Sequence, residues 1–294
     1  MEWIDVIQAI SDGVMKGSTY AIIGIGFTLI FGVMHKLNLA YAAVSIAGAY
    51  ASLTLINYFP ETNVFIVFLM AVVVSGILGY LVYLLCFRFI PLANPLATLM
   101  ATVGMLFFIE EIVVHATDGM PLPYPAMPFD EYFWFGDFSV RGDLLLVDGI
   151  CVLATTLLMY MLYRTRLGIA TRAVAQQPIA ARLAGISIEK TNAVTFVMTG
   201  LLGGLAGAMI GASVSVLSPL IFIPVTVKGL IVTVIGGLGS IPGAIVAGLL
   251  VGGLEELFLI MRGVTERDIY VMLLLFLFLT FRPGGIFSRS VERD

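Results

Sequence analysis

The sequence predicts an all-α fold, a polytopic membrane bundle of eight or nine transmembrane segments. Of its 294 residues, 60% are hydrophobic and only 12% are charged, whereas soluble domains contain about 25% charged residues. The apolar residues lie in long runs, and a membrane-spanning helix needs about 20 of them. An open sheet would leave unpaired backbone groups in lipid, so we expect the spanning segments to be helices.

Apolar segments follow one another along the whole chain, and each is a candidate for one spanning helix. They cover residues 14–33, 37–56, 63–85, 94–115, 144–163, 191–217, 223–237, 240–260 and 269–281. The segments at 223–237 and 269–281 are short, so one of them could be tilted, re-entrant or broken. No separate soluble domain is visible, and we expect residues 1–294 to form a single transmembrane domain.

The positions of lysine and arginine predict which ends of the segments face the cytosol. Residues 164–190 connect two apolar segments and are placed inside because they carry five basic side chains, Arg164, Arg166, Arg172, Arg182 and Lys190. Alternation then places ten of the 15 basic residues inside. The external loop 116–143 belongs to an acidic stretch with one arginine, Arg141. The predicted orientation has the N-terminus outside and the C-terminus in the cytoplasm.

The external loop 116–143 is rich in proline and aromatic residues. Its prolines interrupt any long helix. The aromatic residues are Tyr124, Phe129, Tyr132, Phe133, Trp134 and Phe135. We favour an aromatic belt at the lipid–water boundary for them over a docking surface for an external protein.

Within residues 164–190, the stretch QQPIAARLAG predicts a two-turn helix lying on the membrane surface. Pro178 suits the first helical turn and Gly185 suits the position just past the end, although Gln177 is a poor N-cap. The apolar residues Ile179, Leu183 and Ile186 share one face, and Arg182 lies off it. So short a helix needs a partner surface or the lipid boundary.

Glycines at four-residue spacing occupy single helix faces in the last third of the chain. The two sets are Gly203, Gly207, Gly211 and Gly248, Gly252. This spacing is typical of close helix packing in membranes. An additional role in letting helices slide during transport stays open.

Polar residues within the apolar segments are candidates for a translocation path. Glu255 and Glu256 lie in an apolar run, where burial of a carboxylate costs at least about 2.5 kcal/mol unless a cavity or partner receives it. Lys228 is a possible charge partner. Three residues near the start of the second segment could line a polar path or only cap a helix: Asn38, Tyr41 and Ser45.

Catalytic and cofactor sites are not indicated by the sequence. The chain has two histidines, His35 and His115, and the predicted topology places them on opposite faces, so no Ser–His pair forms. There is no P-loop, so ATP hydrolysis would require another chain. Cys86 and Cys151 lie in apolar runs and predict neither a disulfide nor a metal site. We expect no enzyme activity, no cofactor and no nucleic-acid partner.

Three stretches resemble one known family of membrane proteins. They are GSTYAIIGIGFTLIFGVMHKLNLAYAAVSIAGAY (17–50), RAVAQQPIAARLAGI (172–186) and VIGGLGSIPGAIVAGLLVGGLEEL (234–257). In these stretches the chain resembles the membrane permease subunits of ABC importers for branched-chain amino acids, of the LivH type. The order and spacing of the spans extend the resemblance over nearly all of the chain.

The resemblance implies a permease in the cell (inner) membrane that translocates branched-chain or related amino acids. The implied partners are an external substrate-binding protein, cytosolic ABC ATPase subunits and a second, LivM-like permease subunit. The implied ATPase-coupling residues are Gln176, Gln177, Pro178, Ala181, Arg182, Leu183, Gly185 and Ile186. The implied inner turn after the seventh segment holds Gly236, Gly237, Gly239, Ser240 and Gly243.

The sequence departs from the family pattern at two places. Relatives usually read N-[FL]-A-[HQ]-G where this chain has Asn38-Leu39-Ala40-Tyr41-Ala42, and Gln177 stands where Asn or Asp is common. Alternatives remain open: a permease for urea or short-chain amides in the same family, or an ion-coupled secondary transporter.

Overall fold

The computed structural model describes residues 3–59, 61–90, 95–125, 127, 131–135, 138–282 and 284–287. Phe129 of the predicted aromatic belt lies outside the described residues, as do Arg289 and Arg293, two C-terminal members of the ten basic residues predicted to face the cytosol.

Helices account for most of the described residues. The α-helices are α1 (Trp3–Met34), α2 (Ala40–Tyr58), α3 (Val64–Val82), α4 (Pro95–Ala116), α5 (Gly142–Arg164), α6 (Arg166–Gln176), α7 (Pro178–Leu183), α8 (Ile188–Val214), α9 (Phe222–Gly236), α10 (Ile241–Arg262) and α11 (Val264–Phe281). A π-helical turn, Tyr83–Arg88, continues α3, and a 3-10 turn, Pro219–Ile221, precedes α9.

Two small antiparallel pairs of strands complete the described structure. The strands are β1 (Leu122–Pro123), β2 (Tyr132–Phe135), β3 (Phe138–Arg141) and β4 (Val216–Leu217). The first strand pairs with the fourth, and the second pairs with the third.

The predicted all-α, polytopic helical class is confirmed. Each of the nine predicted apolar segments is mainly helical within the described residues. Seven helices of the described part are long and apolar enough to cross a membrane, and the apolar stretches Ala40–Thr54 and Ile269–Phe281 are shorter.

The ends of several helices differ from the sequence-based expectation. Helix α1 begins at Trp3 instead of residue 14, because its N-terminal part packs against α10 through Gly13. Helix α6 was not predicted as a separate element. Thr165 caps it, since the Thr165 side chain accepts a hydrogen bond from the Gly168 N–H at 3.2 Å.

The chain folds into two compact units. Unit 1 contains Met1–Thr28, Met127–Val152 and Lys228–Asp294, and unit 2 contains Leu29–Ala126 and Leu153–Val227. Helices α1, α5 and α9 each contribute to both units.

In unit 1, glycines bring α1 and α10 into backbone contact. A methyl group added at Gly13 would lie 2.6 Å from the carbonyl oxygen of Gly252, and one added at Gly17 would lie 2.7 Å from that of Gly248. The predicted packing role of Gly248 and Gly252 therefore has a definite partner helix.

In unit 2, helices α2, α3 and α8 pack closely on one another. On one side of α8, Gly203 and Gly207 contact Ser45 of α2, and on another side Gly204 contacts Ser75 of α3. Gly211 lies against the ring of Tyr124. Glycines thus lie on two sides of α8, and a different helix approaches its backbone on each side.

Candidate coupling segment and buried ion pairs

The short helix α7 closely follows the sequence-based prediction. Pro178 occupies its first turn, and Gln177 precedes it without a side-chain capping bond. Gly185 has a φ of +83°, a conformation that suits glycine after a helix. The N–H of Ile186 donates to the carbonyl of Ala181 at 3.0 Å, which closes the helix end.

One detail of that prediction is wrong. Helix α7 ends at Leu183, so Ile186 lies beyond the helix and does not extend its apolar face. The left-handed Gly185 reverses the chain before a third turn can form. The helix therefore presents two apolar positions, Ile179 and Leu183, separated by four residues.

These two side chains are unusually exposed for apolar residues. Ile179 is 75% exposed and Leu183 is 87% exposed. Ala181, on the other side of the helix, is only 4% exposed. Helices α6 and α7 pack against each other and against α8, so α7 is held with its apolar pair facing outward.

Basic side chains surround the coupling segment. All five predicted basic residues of the loop, Arg164, Arg166, Arg172, Arg182 and Lys190, are exposed. The Arg172 guanidinium lies over the ring of Tyr163, 5.0 Å from its centroid. The loop therefore combines a small apolar surface with surrounding positive charge. Gln176, Gln177 and Arg182, which are predicted to couple to an ATPase, are exposed as well.

The glycine-rich turn between α9 and α10 is also ordered. Gly237 and Gly239 have φ angles of +101° and +88°, which other residues rarely adopt. The Ser240 hydroxyl accepts a hydrogen bond from the Gly243 N–H at 3.2 Å and caps α10. The backbones of Gly236 and Gly243 touch.

Two ion pairs join three helices of unit 1. Lys228 of α9 contacts Glu255 of α10 at 2.7 Å, and Lys16 of α1 contacts Glu256 at 2.5 Å. Lys228 Nζ also donates to the Tyr20 hydroxyl at 3.3 Å. The proposed charge partner Lys228 is therefore confirmed, and both carboxylates are occupied by ammonium groups.

The polar residues at the start of α2 are buried in unit 2. Tyr41 is 2% exposed and Ser45 is fully buried, and both contact Gly203 of α8. The Ser45 hydroxyl donates to the Tyr41 carbonyl at 3.0 Å. The side-chain oxygen of Asn38 accepts no hydrogen bond from the described residues.

Sequence reasoning missed the buried lysine beside this group. Lys36 is 9% exposed, and its ammonium donates to the Thr98 hydroxyl at 2.9 Å. Burial lowers the pKa of Lys36. The position of Lys36 between two apolar segments could have suggested burial. The sequence does not show, however, that α4 packs over this lysine.

Nearly the whole chain matches one protein family. Residues 9–281 match the family model described as the permease component of a branched-chain amino acid transport system. The chain belongs to this family. It is therefore a subunit of a membrane transporter and not an enzyme, as the resemblance implied.

Relatives agree with that family over nearly their full length. The chain is 31% identical to the high-affinity branched-chain amino acid transport system permease protein BraD of Pseudomonas aeruginosa, with 98% of this chain and 97% of BraD covered. It is 28% identical to the corresponding permease protein LivH of Escherichia coli (strain K12), with 99% of each chain covered.

A solved structure supports the fold. A chain of PsaBC from Streptococcus pneumoniae in complex with a Fab matches with a TM-score of 0.50 at 11% identity, covering 96% of this chain and 94% of that one. At this identity the match concerns the fold alone.

Within the part of the chain that the structure describes, no group of three or more His, Cys, Asp or Glu side chains is arranged to hold a metal ion.

Proposed function

We propose that the chain imports branched-chain or related amino acids, that a cytosolic ATPase drives it through α7, and that an external binding protein supplies the substrate. The observation that supports the coupling role most strongly is the outward-facing apolar pair Ile179 and Leu183 on a helix with fixed ends. A LivM-like permease subunit completes the proposed path.

Exposed apolar side chains on a short helix favour a protein partner. Burial of one isoleucine or leucine side chain contributes about 1.5–3 kcal/mol. Burial of both in a complementary groove of a partner would therefore stabilise the complex appreciably. The surrounding arginines would favour an acidic rim around that groove. Arg182, placed next to Leu183 and exposed, is the nearest of them in sequence.

A force on α7 has a short route into the membrane. Ser187 caps α8 by accepting a hydrogen bond from the Lys190 N–H at 3.4 Å, directly after the turn that ends α7. Helix α8 in turn packs along α2 and α3. We infer that displacement of α7 moves α8 against these two helices, with the glycine faces permitting the movement.

We propose nine spans with the N-terminus outside and the C-terminus in the cytoplasm. The spans are α1 to α5 and α8 to α11. Strand β1 follows α4, β4 follows α8, and their pairing is consistent with both helices ending on one side. The N–H of Ile286, after α11, donates to the carbonyl of Ile235 at the end of α9 at 2.8 Å, which supports a common side for those ends too.

The same topology assigns the loops. Residues 164–190 form the cytoplasmic coupling loop and residues 116–143 form the external loop of a single permease domain over 1–294. The hydroxyl of Tyr83, at the end of α3, donates to the Glu189 carbonyl at the start of α8 at 3.1 Å, in keeping with one shared inner side.

The substrate proposal rests on the relatives. BraD and LivH are named as branched-chain amino acid permease proteins. We propose that Asn38, Tyr41 and Ser45 belong to the path in a transport state in which α2 and α8 move apart. For Glu255 and Glu256, both neutralised by lysines, we propose a supporting role, in which the ion pairs hold α1, α9 and α10 together.

Copurification with the ATPase tests the coupling proposal. Replacing Ile179 and Leu183 together by Asp places charge in the proposed groove and should abolish both copurification of the cognate ATPase and amino acid uptake. The matched control is Leu220→Asp, which alters another strongly exposed leucine, 80% exposed, beyond the far end of α8. That variant should retain the complex.

The outcomes of this experiment are distinct. Loss of the ATPase from the double variant alone supports α7 as the docking helix. An intact complex in the double variant, at wild-type yield, would contradict it. Uptake by the wild-type complex of radiolabelled leucine, and not of urea, tests the substrate separately.

A further inference from the structure

The hairpin of β2 and β3 is attached to the start of a membrane-spanning helix. Trp134 pairs with Ser139 across the two antiparallel strands. Helix α5 begins at Gly142, directly after β3. Gln8 of α1 holds the hairpin a second time, since its side chain donates to the Ser139 carbonyl at 2.6 Å and accepts from the Ser139 N–H at 3.2 Å.

The two faces of this hairpin differ. Val140 is 8% exposed and packs with Met15 and Leu144 in the core of unit 1. Because successive side chains of a strand point to opposite faces, Tyr132 and Trp134 share one face, opposite to that of Phe133, the cross-strand partner of Val140.

The aromatic face is exposed. Tyr132 is 54% exposed and Trp134 is 70% exposed. Their ring centroids lie 6.3 Å apart, so the two rings form one continuous surface. Tyrosine and tryptophan both carry large apolar rings. Within the described residues, no other side chain fully covers the rings of Tyr132 and Trp134.

Two constraints fix the depth of the hairpin relative to the bilayer. Helix α1 is a candidate span over Asp5–Met34, and Gln8 lies near its start, ahead of the apolar segment that begins at residue 14. The span of α5 begins at Gly142, one residue beyond β3. A hairpin bonded to the first and continuous with the second lies where both helices enter the membrane.

We propose that the face formed by Tyr132 and Trp134 lies in the headgroup layer of the bilayer and anchors the outer ends of α1 and α5. Tyrosine and tryptophan favour this layer because each combines an apolar ring with a polar group. Arg141 is paired with Asp143 at 2.6 Å, and Glu131 is exposed nearby, so the lipid class that fits is zwitterionic and not anionic.

Fluorescence of a single tryptophan tests this anchor. The chain has two tryptophans, so Trp3→Phe leaves Trp134 as the only reporter. The full-length variant is placed in phosphatidylcholine nanodiscs whose lipids carry bromine next to the headgroup, at mid-chain or at the chain end. In the control variant Trp134→Phe, Trp3 is the remaining tryptophan. Comparison of the two variants shows how far the quenching of Trp134 differs from that of Trp3.

The expected result is a larger loss of Trp134 emission with bromine next to the headgroup than with bromine at the chain end, together with weak quenching by aqueous iodide. Strong quenching by iodide without quenching by any brominated lipid would overturn the proposal. So would a reporter quenched by neither, or one that is shielded from iodide only after the external binding protein is added, because each places a different partner on this face.

Discussion

Buried charges in unit 1 show how individual residues hold the membrane helices. Glu255 is 4% exposed and Lys228 contacts it at 2.7 Å, whereas the Lys16 side chain that contacts Glu256 is 38% exposed. A buried pair costs desolvation energy when it forms, yet removal of one partner leaves the other charge uncompensated. Lys228 and Glu255 should therefore depend on each other more strongly than Lys16 and Glu256.

Glu255→Gln should lower the free energy of unfolding by about 3 kcal/mol, because the Lys228 ammonium loses its buried counterion. Glu256→Gln should cost less, since the protein encloses the Lys16 side chain less completely than that of Lys228. The measurement is the unfolding midpoint of the purified chain in detergent micelles.

Glu189→Gln is the matched control, because Glu189 is exposed in the first turn of α8 and its loss should change stability by no more than about 0.5 kcal/mol. The double variant Lys228→Glu with Glu255→Lys reverses both charges, and it should be more stable than Glu255→Gln because the ion pair can form again. If Glu255→Gln unfolds at the wild-type midpoint, the ion pair has no supporting role.

At this scale the sequence predicted one pair and missed the other. Lys228 and Glu255 were the evident opposite charges in neighbouring apolar segments. The pairing of Lys16 with Glu256 joins residues at opposite ends of the chain. Only the packing of α1 on α10 brings them together, and a one-dimensional pattern carries no information about that contact.

Among the elements, the glycine faces of α8 and α10 determine which helices approach one another. A Cβ at Gly207 would collide with the carbonyl oxygen of Ser45, so α2 has no room to accept it. By contrast, a Cβ at Gly104 of α4 would meet nothing within 4 Å. A glycine within a membrane helix therefore has a packing role only where another part of the chain approaches its backbone.

Gly207→Ala should destabilise the chain by about 1–3 kcal/mol, the usual cost of overpacking a tight contact. Gly104→Ala is the control and should be neutral or stabilising by up to about 1 kcal/mol, because alanine favours the helix. Thermal unfolding followed by helical circular dichroism in the same detergent compares the two. Equal midpoints for both variants would show that α2 and α8 do not need this close approach.

The helix α7 illustrates what local sequence can and cannot predict. Pro178 and Gly185 marked its two ends correctly, because their backbone preferences act within a few residues. Ile186 was wrongly assigned to its apolar face, because that residue follows the left-handed Gly185 and lies beyond the helix. The separate helix α6 was missed because Thr165 caps it one residue after α5 ends, within what reads as a continuous segment.

For the whole molecule, alternating hydropathy and the distribution of basic residues predicted the helical class and the order of the segments. Long apolar runs constrain a membrane chain strongly, because each must satisfy its own backbone in lipid. The pairing of helices within each unit was not predictable, since it depends on glycine contacts between distant segments. The motif predicted which residues couple to an ATPase, and that assignment stays a prediction. The exposure of Ile179 and Leu183 could be seen only in the structure.

The direction in which the loop 164–190 faces is the central claim about the whole molecule, and cysteine labelling tests it most directly. The buried Cys86 and Cys151 are first replaced by Ala, and a single cysteine is then introduced at Ala184, in the exposed turn after α7. Glu61→Cys, in the exposed turn between α2 and α3, provides the opposite-side control. A membrane-impermeant maleimide should label Ala184→Cys only in inside-out vesicles and Glu61→Cys only in right-side-out vesicles. Labelling of Ala184→Cys in sealed right-side-out vesicles would contradict the account, because no cytosolic ATPase could then reach α7.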